Sequence, residues 1–199
     1  RSVSNTAFKR GEKLNYNVYY HSMLTGNLLA GRASLEVQPT QPKYFGRNTM
    51  HIVGIGVSAG SFDWFFKVKD RYETYIDEKS IVPWYFVRRV NEGGYIINQD
   101  VAFNHFSNTV KCNEKQYKIP DYTQDILSFF YAARTMNTAN LKPGDSFPLK
   151  FFLDNEVYTI KIIYEGKENV KISSGTFRCL KFKPMVLTGN VFKDPYPMT

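Results

Sequence analysis

Apolar residues recur at every second position along much of this chain, and that period constrains its fold more than any other feature. In Leu14, Tyr16, Val18 and Tyr20 each alternate residue is apolar, with Asn15 and Asn17 between them. Leu29, Ala33, Leu35 and Val37 share one parity, while Arg32, Ser34 and Glu36 share the other. FKVKDRYETYID (66–77) sets Phe66, Val68, Tyr72 and Ile76 against Lys67, Lys69, Arg71 and Glu73. Tyr95, Ile97, Val101 and Phe103 repeat the pattern, as do Phe147, Leu149, Phe151 and Leu153, and then Tyr158, Ile160, Ile162 and Tyr164. Successive side chains of an extended backbone point to opposite faces. Each run is therefore a strand with one dry and one wet side, as in antiparallel sheet.

Turn chemistry separates the runs. Gly26-Asn27, Asn91-Glu92-Gly93-Gly94, Asp154-Asn155 and Ser173-Ser174-Gly175 are breakers of hairpin length. Pro143-Gly144-Asp145 introduces the strand near Phe147, and Gln38 to Lys43, with Pro39 and Pro42, reads as a loop. Roughly ten strands at this spacing predict an all-β sandwich or barrel. No repeat, low-complexity tract or linker divides the chain, so one domain over residues 1–199 is expected.

One segment breaks the period. Pro120 stops a strand, Asp121 and Gln124 have capping-box spacing, and a helix is predicted from Thr123 to about Met136. Ile126, Leu127, Phe129, Phe130, Tyr131, Ala132 and Ala133 make it apolar almost all round, so a flat sheet would leave half of it wet. The expected fold is mainly β, of the α+β kind: a strongly curved antiparallel sheet or half-open barrel wrapped around one long helix. A second short helix or loop is expected at 60–65 (GSFDWF).

With 199 residues the chain is long enough to fold without disulfide or metal. Its hydrophobic fraction of 43% and charged fraction of 22% are those of ordinary globular proteins and argue against the fibrous and disordered classes. The net charge of +8 is scattered over Lys67, Lys69, Arg71, Arg88, Arg89, Lys111 and others, with no nucleic-acid-binding motif beside it. Solvated strand faces account for it, and no nucleic-acid partner is expected. Cys112 and Cys179 have no metal-ligand spacing. An oxidising compartment permits their pairing, and two free thiols fit equally well. No apolar run is long enough for a membrane-spanning helix, and a start at Arg1 fits either a chain whose signal peptide has been removed or an edited sequence.

Few residues offer chemistry. Alternation sets Asp70 on the dry face beside Val68 and Tyr72, where a carboxylate is costly unless paired. Such a group is either a general acid or base with a raised pKa or a structural partner for an Arg, a Tyr hydroxyl or backbone amides. His21, His51 and His105 fall on different strands, so no metal site is expected. No nucleophile elbow, phosphate loop or dinucleotide fingerprint occurs, and Gly54, Gly56 and Gly60 read as strand kinks, so no cofactor and no catalytic residue is assigned. The aromatic cluster Phe62, Trp64, Phe65 and Phe66, with Trp84 and Tyr85 and with Phe130 of the helix, forms either plain core or the wall of an apolar ligand site.

FKRGEKLNYNVYY (8–20), GRASLEV (31–37), VKDRYETYID (68–77), NEGGY (91–95), QDILSFFYAART (124–135) and LKPGDSFPL (141–149) together resemble a bacterial family of exported proteins catalogued as domain of unknown function 3108. The resemblance spans nearly the whole chain. It implies export to the periplasm or cell surface of a Gram-negative bacterium, no assigned enzyme activity, and a curved sheet around a helix similar to the lipoprotein carriers LolA and LolB. It also implies further strands beyond DPYPMT (194–199).

The expected function is therefore a non-enzymatic periplasmic protein that binds or carries a lipid-like or apolar ligand, with peripheral contact to a membrane or the cell envelope. The alternatives are a structural or interaction protein of the envelope with a filled interior, a hot-dog-like thioesterase using Asp70 or Asp125, and a glycan-binding module with Trp64 and Trp84 stacked on its surface.

Overall fold

The computed structural model describes residues 2–22 and 26–186. Strands β1 (Lys13–Ser22), β2 (Gly26–Val37), β3 (Lys43–Tyr44) and β4 (Arg47–Ser58) precede a single helical turn, α1 (Phe62–Phe65). Then come β5 (Lys69–Asp77), β6 (Pro83–Glu92), β7 (Tyr95–Asn104), β8 (Thr109–Cys112) and β9 (Lys115–Lys118), and after them helix α2 (Ile126–Arg134). The hairpins of β10 (Ser146–Leu153), β11 (Glu156–Ile172) and β12 (Gly175–Val186) close the described chain.

All named strands pair antiparallel. One sheet runs β1-β2-β4-β5-β6-β7-β8-β9 with β3 attached to β4, and β10-β11-β12 form a second. The predicted breakers do their work. Gly93 and Gly94 turn β6 into β7, and Asp154 and Asn155 turn β10 into β11, each at positive φ, which two-residue hairpins require. The Gly26-Asn27 signal falls at the start of β2, and the connection from β1 at 23–25 lies outside the described residues, as does DPYPMT.

Three apolar clusters meet around α2. Tyr131 joins Val37, Met50, Ile52 and Ile76. Leu127 packs on Phe86, Val101, Phe103 and Phe152, and Phe129 on Phe151, Tyr158 and Ile160 of the second sheet. Gly54 makes the close approach possible: a Cβ there would lie 3.1 Å from Leu35 and 3.3 Å from Leu127.

The architecture corrects the expected barrel in two ways. The large sheet ends at β1 and β9 and does not close, and α2 is short, packed between that sheet and the separate β10–β12 sheet. Two sheets thus supply what one bent sheet was expected to. An outward stripe stays partly open, with Phe130 38% and Ile126 41% exposed. The helix begins later than predicted because Gln124 is drawn into the edge of β10. Its amide donates to the Lys150 carbonyl, and its own carbonyl accepts from the Phe152 amide. The capping box is accordingly Asp125 and Ser128, one turn after Asp121 and Gln124.

Candidate functional site

The predicted aromatic cluster is split. Phe62, Trp64, Phe65 and Phe66 ride on and beside α1, a turn too short to bury a face of its own. Trp64 is 92% exposed, Phe65 63% and Phe66 49%. Phe62 packs on Phe65 and on Tyr20 at the end of β1, with ring centroids 5.2 and 5.8 Å apart. The Phe66 ring lies on Gly93, where a Cβ would approach it to 2.6 Å, so the β6–β7 turn with exposed Tyr95 and Ile96 adjoins the same end of the molecule. Lys67 and Lys69 follow directly and are exposed. This is an aromatic tip with a basic flank, not core. Tyr20 and Tyr95 belong to it although alternation assigns them to dry faces, because their strands run past the covered part of the sheet.

Trp84 is elsewhere. It is buried among Phe45, His105 and Phe106, and its indole N–H donates to Asp77 at 3.1 Å. Asp77 also accepts from the amides of Lys79 and Ser80, at 2.9 Å each, and pairs with Arg47 through two nitrogens. Burial by itself would raise this carboxyl. The Arg47, Ser80 and Trp84 donors outweigh it and hold the group well below the usual carboxylate range. With Trp84 inside, a glycan face built from Trp64 and Trp84 does not exist. Phe130 contacts Tyr131 edge-on and lies under the Arg134 guanidinium, at the other helix-bearing region of the fold, so the six expected ligand residues do not converge.

Asp70 is buried at 8% exposure on the inward face, as the alternation predicts. It accepts from the Asn91 amide at 3.0 Å and shares a hydrogen bond with Glu92. Burial, then that bond and the Asp70 charge, raise Glu92 above its usual value. Tyr72 bonds Arg88, which reaches Asp154 at 2.7 Å. Of the partners expected for a structural role, Asp70 has a backbone amide, that of Asn91, and its other partner is the Glu92 carboxyl. A third buried carboxylate, Asp125, has no exposure at all and caps α2, accepting from Thr74 Oγ1 and from the Leu127 and Ser128 amides at 2.8 Å. Burial pushes it up to about 6 against those donors. No substrate reaches a carboxylate so enclosed, which removes the basis for a thioesterase using it.

The histidines stay apart: His21 bonds Asn27, His51 bonds Glu73, and His105 bonds the Pro83 carbonyl. Burial lowers His105 below its ordinary value. Cys112 and Cys179 are both free, the first buried.

Beside the last turn of α2 lies an open hollow of about 640 Å³, lined by Val3, Ile81, Ala132, Met136 and Leu149 together with Gln124 and several serine and threonine side chains. The Gln124 Nε2 donates to the Ile81 and Tyr122 carbonyls while its Oε1 is buried without a hydrogen-bond partner.

A family model matches residues 15–199, that of the protein of unknown function family DUF3108. The chain belongs to that family. No curated protein and no solved structure matches it, so the likeness to LolA and LolB rests on the sequence resemblance alone. Family membership of this DUF3108 chain carries no activity with it, and the reading of its sites depends on their geometry.

Proposed function

We propose that this DUF3108 protein is an exported envelope protein that engages an anionic lipid surface through its α1 tip, the lipid acyl region being the apolar ligand. The observation that carries the reading is Trp64, at 92% exposure, in company with Phe65, Phe66, Tyr20 and Tyr95. An exposed apolar patch of this kind marks an interaction site. Trp and Tyr are the side chains that settle at the headgroup level, with an apolar body and a polar tip. Lys67 and Lys69 beside the tip, and a net charge of +8, favour anionic headgroups. Each cation near such a surface is worth about 1 kcal/mol.

The test is simple because the chain has two tryptophans and Trp84 is already buried. Vesicles of phosphatidylglycerol and phosphatidylethanolamine should shift the emission to the blue, and brominated acyl chains should quench it. Trp64→Ala should weaken partitioning by roughly thirtyfold, the loss of about 2 kcal/mol of aromatic burial. Emission and sedimentation indifferent to anionic vesicles would refute the reading.

A second reading, carriage of a small amphipathic ligand, is favoured by the hollow beside α2. Its lining has no charged side chain and mixes apolar with hydroxyl and amide groups. Displacement of a fluorescent fatty alcohol that Ala132→Phe abolishes would support it, and no uptake by delipidated protein would dismiss it.

A further inference from the structure

The outward face of the large sheet carries a row that crosses five strand boundaries. His51 pairs with Tyr75, Tyr75 with Tyr85, Tyr85 with Ala102, Ala102 with Lys111, and Lys111 with Gln116. On one side of Tyr85 the row is packed with rings. His51 stacks on Tyr75 at 4.3 Å and an angle of 5°. Tyr44 of β3 lies over Tyr75 at 5.0 Å and stacks on Tyr85 at 5.9 Å and 14°. On the other side the row drops to Ala102. The missing side-chain volume leaves an open hollow of about 360 Å³ between Tyr85 and Lys111.

The hollow is built, not incidental. Its floor is the Ala102 methyl and its wall the Tyr85 ring. The Tyr85 hydroxyl bonds Asp100, and Asp100 is held in turn by Arg89 at 2.6 Å. Asn98, Asn113 and Glu114 complete the rim. Burial, then the Asp100 charge and hydrogen bond, raise the Tyr85 hydroxyl above its ordinary value, which keeps it a donor. Two cations are paired with two anions, Arg89 with Asp100 at 2.6 Å and Lys111 with Glu114 at 3.7 Å, so the rim has no net charge.

We infer that this hollow binds a neutral saccharide. An ion would need one sign of charge, and a hydrocarbon would need a rim without charges. A pyranose ring has what the hollow lacks: an apolar C–H face to lie on Tyr85 and Ala102, and a ring of hydroxyls that each donate and accept. The amide groups of Asn98 and Asn113 at the rim suit adjacent hydroxyls, since each can both donate and accept. The site is separate from the α1 tip, and neither needs the other.

Saturation-transfer NMR with cellobiose, maltotriose and N,N′-diacetylchitobiose, read together with amide shifts of the labelled protein, tests the inference. At least one of the three should bind and shift amides of β6–β8. Tyr85→Ala and Ala102→Leu should each weaken it at least about tenfold, the worth of one aromatic contact. Ala102 is exposed, so its substitution fills the hollow without touching the core. Both variants should keep vesicle binding. Three silent saccharides, binding that survives Ala102→Leu, or displacement by inorganic phosphate would each overturn it.

Discussion

Replacing Asp125 by Asn should abolish one specific pH dependence of stability. The native carboxyl lies at about 6 against an ordinary 3.8, because burial disfavours its charge more than Thr74, Leu127 and Ser128 favour it. A proton held more tightly in the folded than in the unfolded chain stabilises the fold while it is bound. That contribution is complete below about pH 4 and is lost as the pH rises to about 6. At about 1.4 kcal/mol per tenfold change in proton affinity, the loss is about 3 kcal/mol. Asn keeps the cap, since its oxygen still accepts from the two amides and its nitrogen donates to the Thr74 hydroxyl, and it carries no proton to lose. Urea unfolding of both proteins from pH 3 to 8 measures the difference directly, and every other titrating group cancels from it. Relative to Asp125→Asn, the native protein should lose about 3 kcal/mol between pH 4 and 7. A difference flat to within about 0.5 kcal/mol would show that the three donors already compensate for burial, and the reasoning would fail.

Three further outcomes follow from buried groups. Tyr131→Phe removes a buried hydroxyl without a hydrogen-bond partner, so thermal unfolding should move by less than the equivalent of about 0.5 kcal/mol or rise. Arg47→Met leaves Asp77 inside with only its N–H donors. Urea unfolding at pH 7 should show a loss of about 2 kcal/mol, shrinking as the pH falls far enough to protonate the carboxyl, whose folded-state value is depressed. A thiol reagent should titrate Cys179 in the native protein and reach Cys112 only on unfolding, since burial both encloses the Cys112 thiol and raises it.

Family membership limits what can be carried over, so the two surface sites stand on their own geometry. They also divide the surface sensibly: the α1 tip is apolar with a basic flank, whereas the β6–β8 hollow is polar and neutral at its rim.

The strands, their turns and the inward side of most of them are legible along the chain, because period two and glycine or asparagine at positive φ are local properties. Asp70 on the dry face and the turn at Gly93-Gly94 could be read without a structure. How far each face is covered depends on the assembled fold. Val18, Tyr20 and Tyr95 have the pattern of core residues but extend beyond it, while Trp84 and Trp64, equal by composition, end at 3% and 92% exposure. Register across strands was equally out of reach, since the row from His51 to Gln116 joins residues up to 24 positions apart in neighbouring strands. Pairing of that kind depends on which strands lie side by side, and a side chain's own neighbours in sequence carry no record of it. The shortness of α2 has the same origin: the Gln124 backbone met the open edge of β10, and those hydrogen bonds outweighed another turn of helix.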